Sequence, residues 1–214
     1  TVLFDLDGTL LNTIDDLADS ANRVCAAHGW PQYETAQYRY FVGNGIPKLV
    51  ERLAPADQRT PAVLEAALAD FKRDYGQHLR DTTAPYLGIP EMLAKLKANG
   101  VQLAVFSNKA DALAKEVVKD YFGTQYFTIV RGQMTGVAPK PAAEGTNALL
   151  QALHADPAST LYVGDSNVDV ETAHNANLPC CGAVWGFRTR EELNAAGAEY
   201  LAENSDELYD VIMK

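Results

Sequence analysis

The sequence predicts an α/β protein: a Rossmann-like parallel sheet core interrupted near its start by an inserted all-helical domain. Three observations predict it. The chain opens on a continuous apolar run, Val2-Leu3-Phe4, that stops at Asp5-Leu6-Asp7-Gly8-Thr9, as a strand buried on both faces stops at a glycine turn. Residues 13–80 then carry helical spacing with no strand pattern. From about residue 84 onward, short apolar runs alternate with amphipathic stretches, the signature of parallel strands with covering helices. The simplest division is a core of residues 1–12 and 84–214, with a helical cap of residues 13–83 between the two pieces.

Each element follows from its spacing. Ile14, Leu17, Ala18, Ala21, Val24 and Cys25 form one apolar face over residues 13–28, closed by Gly29. A second helix is expected over 34–40; Phe41-Val42-Gly43-Asn44-Gly45 breaks the pattern, which resumes over 47–53. Pro61 opens a helix over 61–79 with Val63, Leu64, Ala67, Leu68, Phe71 and Tyr75 on one face. Beyond Thr82-Thr83-Ala84-Pro85, a helix over 89–99 stops at Gly100 and feeds a strand over 101–106. A helix over 111–121 precedes a strand near 127–130, one over 143–154 a strand over 160–163, and one over 168–176 a strand over 180–184. An amphipathic helix over 206–213 closes the series.

Bulk properties narrow the function. A chain of 214 residues, 47% apolar and without a low-complexity tract, is long enough to bury a large core and is not disordered. No apolar run reaches the ~20 residues of a membrane span, and nothing at the start resembles a signal peptide, so no membrane association is expected. The 28 acidic residues outnumber 18 basic ones for a net charge of -10, which argues against a nucleic-acid partner, because phosphate contacts need clustered Lys and Arg. Cys25, Cys180 and Cys181 have neither metal nor disulfide spacing, so a reducing cytoplasm is the expected location. The cysteines read as small core residues, and His28, His78, His154 and His174 share no metal-site spacing.

The strand ends carry the chemistry. Side chains two apart on a strand start out on the same side, so Asp5 and Asp7 bring two like charges together where open α/β sheets bind ligands. Such a pair asks for a divalent cation or a shared proton. Leu103-Ala104-Val105-Phe106 runs likewise into Ser107-Asn108-Lys109, and Leu161-Tyr162-Val163 into Gly164-Asp165-Ser166-Asn167-Val168-Asp169. Pro139-Lys140-Pro141 forms a loop ahead of the helix that leads to the Asp165 strand. Taken singly, each has a plainer reading: Asp5 and Asp7 as turn or cap residues, Ser107 or Asp165 as N-caps, Asp169 at a helix start, Lys140 solvated. Those readings leave unexplained why three apolar strands all end in oxygen-bearing side chains.

In these four segments the chain resembles the haloacid-dehalogenase-like superfamily of phosphoryl-transfer enzymes. The segments occur in the family's order and at its spacing, over essentially the whole chain, and the helical insertion is similar to the family's first type of cap. The resemblance implies that Asp5 is the nucleophile that takes the phosphoryl group, and that Asp7 is first a general acid and then a base. It implies Mg²⁺ as cofactor, with Asp5, Asp7 (through its backbone carbonyl), Asp165 and Asp169 as the metal set. Thr9, Ser107 and the backbone N–H of Asn108 would bind the phosphoryl group, and Lys140 would neutralise charge between it and Asp5. Dehalogenases of the family generally lack the second aspartate of the first motif, so Asp7 disfavours dehalogenation. The segments Val42-Gly43-Asn44-Gly45-Ile46-Pro47-Lys48-Leu49-Val50 and Val184-Trp185-Gly186-Phe187 resemble phosphoglycolate phosphatases, which implies 2-phosphoglycolate as the substrate. Other small phosphoesters, pyrophosphate, and sugar phosphates (including a phosphomutase reaction) stay open.

A small phosphorylated metabolite needs donors for its other end. The turn Gly43-Asn44-Gly45 can present backbone N–H groups ahead of a helix N-terminus, with Lys48 and Arg39 as charged candidates. Equally, the glycines form only a helix–helix turn and both cations are solvated. A reading of a different class is a phospho-accepting receiver module. Here, however, the acidic pair and the acceptor share one strand and a long helical stretch intervenes. A monomer or weak dimer completes the expectations.

Overall fold

The computed structural model describes residues 1–214, and the chain divides into two compact units, Thr1–Asn12 with Pro85–Lys214, and Thr13–Ala84. In chain order, β1 (Val2–Phe4) and the two-residue β2 (Leu11–Asn12) are followed by α1 (Ile14–His28), α2 (Thr35–Phe41), α3 (Ile46–Leu53) and α4 (Pro61–Gln77). After β3 (Ala84–Pro85) helices and strands alternate: α5 (Ile89–Ala98), β4 (Leu103–Ala110), α6 (Asp111–Phe122), β5 (Phe127–Gln133), α7 (Ala143–Leu153), β6 (Leu161–Gly164) and α8 (Asn167–Asn175). The series ends with β7 (Cys180–Ala183), α9 (Arg190–Ala196), β8 (Tyr200–Ala202) and α10 (Ser205–Ile212).

The first unit is built on a six-stranded parallel sheet of order β5-β4-β1-β6-β7-β8. Connections run from the central β1 to β4 and β5 on one side, then cross to β6, β7 and β8 on the other. The carboxyl ends of β4, β1 and β6 therefore flank the point where the winding reverses, and ligands of open α/β sheets bind there. Phe4 stands opposite Val105 and Val163, so Asp5 emerges one residue later from the middle of this edge. Its N–H donates to Val163 O at 2.8 Å, which fixes the backbone at the strand end.

Alternation along the strands sorts the two faces. Leu3, Ala104 and Tyr162 are register partners and share one face, packed on Leu149, Leu150 and Leu153 of α7 and on Val170 and Ala173 of α8. Phe4 points the other way and meets the Phe127 ring edge-on at 6.4 Å; Phe127 in turn meets Phe122 of α6 at 6.0 Å. Both faces are dry, which is why these strands read as continuous apolar runs.

Two local features depart from the sequence pattern. The strand expected over 101–106 begins at Leu103 and continues through Ser107, Asn108 and Lys109, because Ala110 still pairs with Gln133 on β5. The pair α9 and β8 was not expected. Its helix shows charged residues outward and buries Leu193, and its strand is a three-residue edge too short to display a period.

The second unit is helical from Ile14 to Gln77, with Leu17, Ala21, Val24, Tyr38, Leu49, Leu53, Ala67 and Phe71 buried. Asn22 on α1 ties in the segment before α2: it donates to Tyr33 O at 2.9 Å and accepts from Tyr33 N at 3.0 Å and Tyr38 Oη at 2.6 Å. Asp16, in the first turn of α1, accepts from the backbone and hydroxyl of both Thr82 and Thr83 at 2.5–3.0 Å. It thereby closes the unit's two ends on each other. No helix is long and apolar enough to cross a membrane.

Candidate active site

Beyond β1, β4 and β6 the chain assembles carboxylates around buried ammonium groups. Asp5, Asp165 and Asp169 each place a carboxylate oxygen within 4.8 Å of the other two, and all three residues are buried. Lys140 reaches this cluster from the loop before α7. Its Nζ donates to Asp169 Oδ1 at 2.7 Å, to the Tyr162 hydroxyl at 3.2 Å and to Phe106 O at 3.4 Å. It also forms an ion pair with Asp5 Oδ1 at 2.9 Å.

Asp165 is held on both oxygens. Thr9 Oγ1 donates to Oδ1 at 3.1 Å and Phe187 N to Oδ2 at 2.8 Å. Trp185 Nε1 donates to Thr9 O at 3.0 Å, so the loop after β7 grips both Thr9 and Asp165. Gly8, at φ 89, and Gly186 let these backbones close in: a Cβ on either would overlap Asp165, and one on Gly186 would also meet Gly8 O at 2.6 Å. Thr9 is fully buried, and its hydroxyl serves Asp165; the sequence alone pointed to the phosphoryl group instead.

Asp169 does two things at once. Its Oδ2 accepts from Ser166 N at 3.1 Å and Ser166 Oγ at 2.7 Å, closing a capping box on α8, while its Oδ1 takes Lys140. The cap reading and the site reading of this residue are both present in one side chain. Asp7 lies apart from the trio: its carboxylate faces Lys109 Nζ at 3.1 Å and 3.4 Å.

Ser107 is buried, and its Oγ accepts from Lys109 N at 3.2 Å, which leaves its own O–H to donate elsewhere. Asn108 points its side chain at the Lys140 backbone rather than at the cluster. From the sequence, Tyr162 and Lys109 take no role, and Trp185 and Phe187 enter only within the segment that resembles phosphoglycolate phosphatases. For Tyr162 the sequence holds a signal, since a tyrosine inside a doubly buried strand must find its hydroxyl a partner.

Charge explains the site's chemistry. Asp5, Asp7, Asp165 and Asp169 face Lys109 and Lys140, an excess of two formal negative charges in largely buried surroundings. Burial, together with Asp169 and Asp7, pushes the Asp5 carboxyl up to about 7 against the pull of Lys140. Burial, Asp169 and Asp5 likewise raise Asp165 well above the carboxylate range. At Lys140, burial favours the neutral amine, but Asp169 and Asp5 outweigh it and hold the ammonium well above the usual lysine range. Three buried carboxylates with oxygens within 4.8 Å of one another are hard ligands. Together with Asp7 they carry more formal negative charge than the two lysines offset, which fits a divalent cation such as Mg²⁺.

The residues expected to read the substrate's other end lie in the second unit. Gly43 and Gly45 both take positive φ, at 107° and 83°, on either side of Asn44. Arg52 of α3 braces this turn, donating to Asn44 Oδ1 at 2.8 Å and to Phe41 O at 2.7 Å. Lys48 forms an exposed ion pair with Glu51 at 2.8 Å, and Arg39 is exposed on α2.

A parallel sheet with this winding, carrying acidic strand ends around a buried lysine, belongs to a recognised class of enzyme. The chain is a member of the haloacid dehalogenase-like hydrolases, whose family pattern matches residues 2–183. That membership removes the receiver-module alternative. Among relatives, a phosphoglycolate phosphatase of Mesorhizobium japonicum is 32% identical over 191 residues, covering 88% of this chain and 84% of the relative. A plasmid-encoded phosphoglycolate phosphatase of Cupriavidus necator is 32% identical over 208 residues, covering 97% and 90%. A crystal structure from Lactobacillus delbrueckii subsp. bulgaricus, provisionally named for the same activity, superposes with a TM-score of 0.93 at 27% identity, covering 99% and 97%.

Proposed function

We propose that this hydrolase is a Mg²⁺-dependent phosphatase that cleaves a small phosphomonoester through an aspartyl-phosphate on Asp5, with 2-phosphoglycolate as its substrate. The observation that carries the reading is the cluster of Asp5, Asp165 and Asp169, whose carboxylate oxygens lie within 4.8 Å of one another beside the buried Lys140 ammonium. The names of the relatives support the substrate.

The carboxylates of Asp5 and Asp165, with the Asp7 backbone carbonyl, would hold the metal, and Asp169 would act from behind through Lys140 and the helix cap. Bound there, Mg²⁺ would offset the repulsion between an attacking carboxylate and a phosphate dianion. Lys140 does the same from the other side of Asp5. Asp5 forms a bond to phosphorus as the ester P–O bond breaks, and Asp7 gives its proton to the departing oxygen, which leaves as the alcohol. Water then attacks phosphorus and passes its proton to Asp7; the bond to Asp5 breaks and phosphate departs. The Ser107 hydroxyl and the Asn108 backbone steady the phosphoryl oxygens, and little further chemistry is asked of the protein, since such transfers depend on positioning and charge. The turn Gly43-Asn44-Gly45, with Lys48, selects the substrate's other end.

A panel of phosphate esters assayed with Mg²⁺ tests this directly. Phosphoglycolate should be preferred, Asp5→Asn should abolish turnover with the fold intact, and EDTA should silence the wild type reversibly. Hydrolysis by Asp5→Asn near the wild-type rate rejects the covalent route. Unchanged relative rates on phosphoglycolate and p-nitrophenyl phosphate in Lys48→Ala and Gly45→Val reject the role of the turn.

A further inference from the structure

Lys109 is a buried cation outside the roles described above. It follows Asn108 on β4, its side chain is only 3% exposed, and its Nζ lies 3.1 Å and 3.4 Å from the two oxygens of Asp7. The Asp7 side chain is 21% exposed, the more open member of the pair. The two lysines at this sheet edge thus serve different carboxylates, Lys140 the Asp5–Asp169 side and Lys109 the Asp7 side. With 3% of its side chain exposed, Lys109 meets the Asp7 carboxylate rather than bulk solvent. The backbone N–H of the same residue donates to Ser107 Oγ, so Lys109 orients both Asp7 and the hydroxyl expected at the phosphoryl group.

We infer that Lys109 is the positioning residue for proton transfer: it fixes the Asp7 carboxylate on the β4 side of β1, where Asp7 meets the leaving oxygen and then the attacking water. The inference rests on the reading of Asp7 as acid and base given above. In the first step the Asp7 proton moves to the ester oxygen as its bond to phosphorus breaks. In the second, a water proton moves to Asp7 as phosphorus leaves Asp5. Lys109 keeps all its protons throughout and acts only on where Asp7 stands.

Two substrates separate positioning from mere support. An alkyl phosphate such as phosphoglycolate needs its leaving oxygen protonated, whereas p-nitrophenyl phosphate expels a stable phenolate almost unaided. In Lys109→Met, kcat on phosphoglycolate should fall by about 10²-fold, as for loss of general acid–base help, with KM little changed. With p-nitrophenyl phosphate the same variant should release one nitrophenolate per protein in a fast burst and then turn over slowly, because only water attack still needs Asp7. Burst and steady state falling together, KM rising with kcat held, or wild-type rates on both esters would each overturn the inference.

Lys109→Met leaves Asp7 without its counter-ion and risks misfolding. The double variant Asp7→Asn, Lys109→Met removes both charges and keeps the question open to measurement. Its burst and turnover should match those of Asp7→Asn alone, and a clear further loss rejects the role. A wild-type protein that releases phosphate from neither ester overturns the phosphatase reading and the inference with it. An active wild type with an indifferent Lys109→Met overturns the inference alone.

Discussion

Asn108 clasps the backbone of Lys140 on both sides: its Oδ1 accepts from Lys140 N at 2.8 Å and its Nδ2 donates to Lys140 O at 3.2 Å. The end of β4 thereby sets the position of a loop residue 32 positions away, and with it the Lys140 ammonium. Asn108→Ala unties that loop. We expect a stability loss of about 1–3 kcal/mol from the two freed backbone groups, read by urea denaturation. A shift of the ammonium by ~1 Å should lower kcat by about 10²-fold in the ester assay. Wild-type kcat in Asn108→Ala would show that Lys140 is held by its ion pairs alone.

Asp5 makes the metal-free protein sensitive to pH. Its folded pKa, up to about 7, lies above the ~3.9 of an unfolded aspartate, so between those values the native state binds more protons than the unfolded one. The metal-free chain therefore loses stability as pH rises through about 7. Asp5→Asn removes the buried charge and should raise the melting midpoint at pH 8 in EDTA. Each 1 kcal/mol gained corresponds to roughly 2–4 °C in a chain of this size. Added Mg²⁺ should reverse the order by stabilising the wild type more than the variant. An Asp5→Asn protein that melts below the wild type in EDTA would contradict this account.

Asp16 gives the opposite sign in the second unit. Burial pushes its carboxyl up, but the hydrogen bonds from Thr82 and Thr83 prevail and hold it below the ordinary range. Its contribution is present above the unfolded value of ~3.9 and is lost as pH falls through the lower folded value. Asp16→Asn should cost about 2–3 kcal/mol near neutral pH, since it replaces a charged acceptor facing four donors. The gap in melting midpoint between variant and wild type should narrow below pH ~4. A gap that stays constant down to pH 3 would mean the carboxylate charge contributes nothing.

What the sequence made legible followed from strand geometry. Apolar runs ending at Asp5, Ser107 and Asp165 could be aligned on one sheet edge because parallel strands in an α/β unit end together, and the register of β1 with β4 and β6 does so. Lys140 was readable only by its place between two prolines; nothing in its composition distinguishes a lysine buried against two aspartates from a solvated one. Lys109 was unreadable for the same reason, its meaning residing in Asp7, which is 102 positions away. Thr9 shows a different limit: the residue was found, but which oxygen its hydroxyl serves depends on how closely Gly8 and Gly186 let Asp165 approach. The edge pair α9 and β8 escaped because a three-residue strand carries too little pattern to be seen.

The first strand of the chain stands in the middle of its sheet, and both neighbours arrive late: Val2 pairs with Leu103 and with Leu161. Asp165 receives its last donor only from Phe187. Asp5 and Asp7 have no ion-pair partner from their own strand and wait for Lys140 and Lys109, more than 100 positions further along the chain. A product that stops before Phe187 would lack one of the two donors that hold the Asp165 carboxylate.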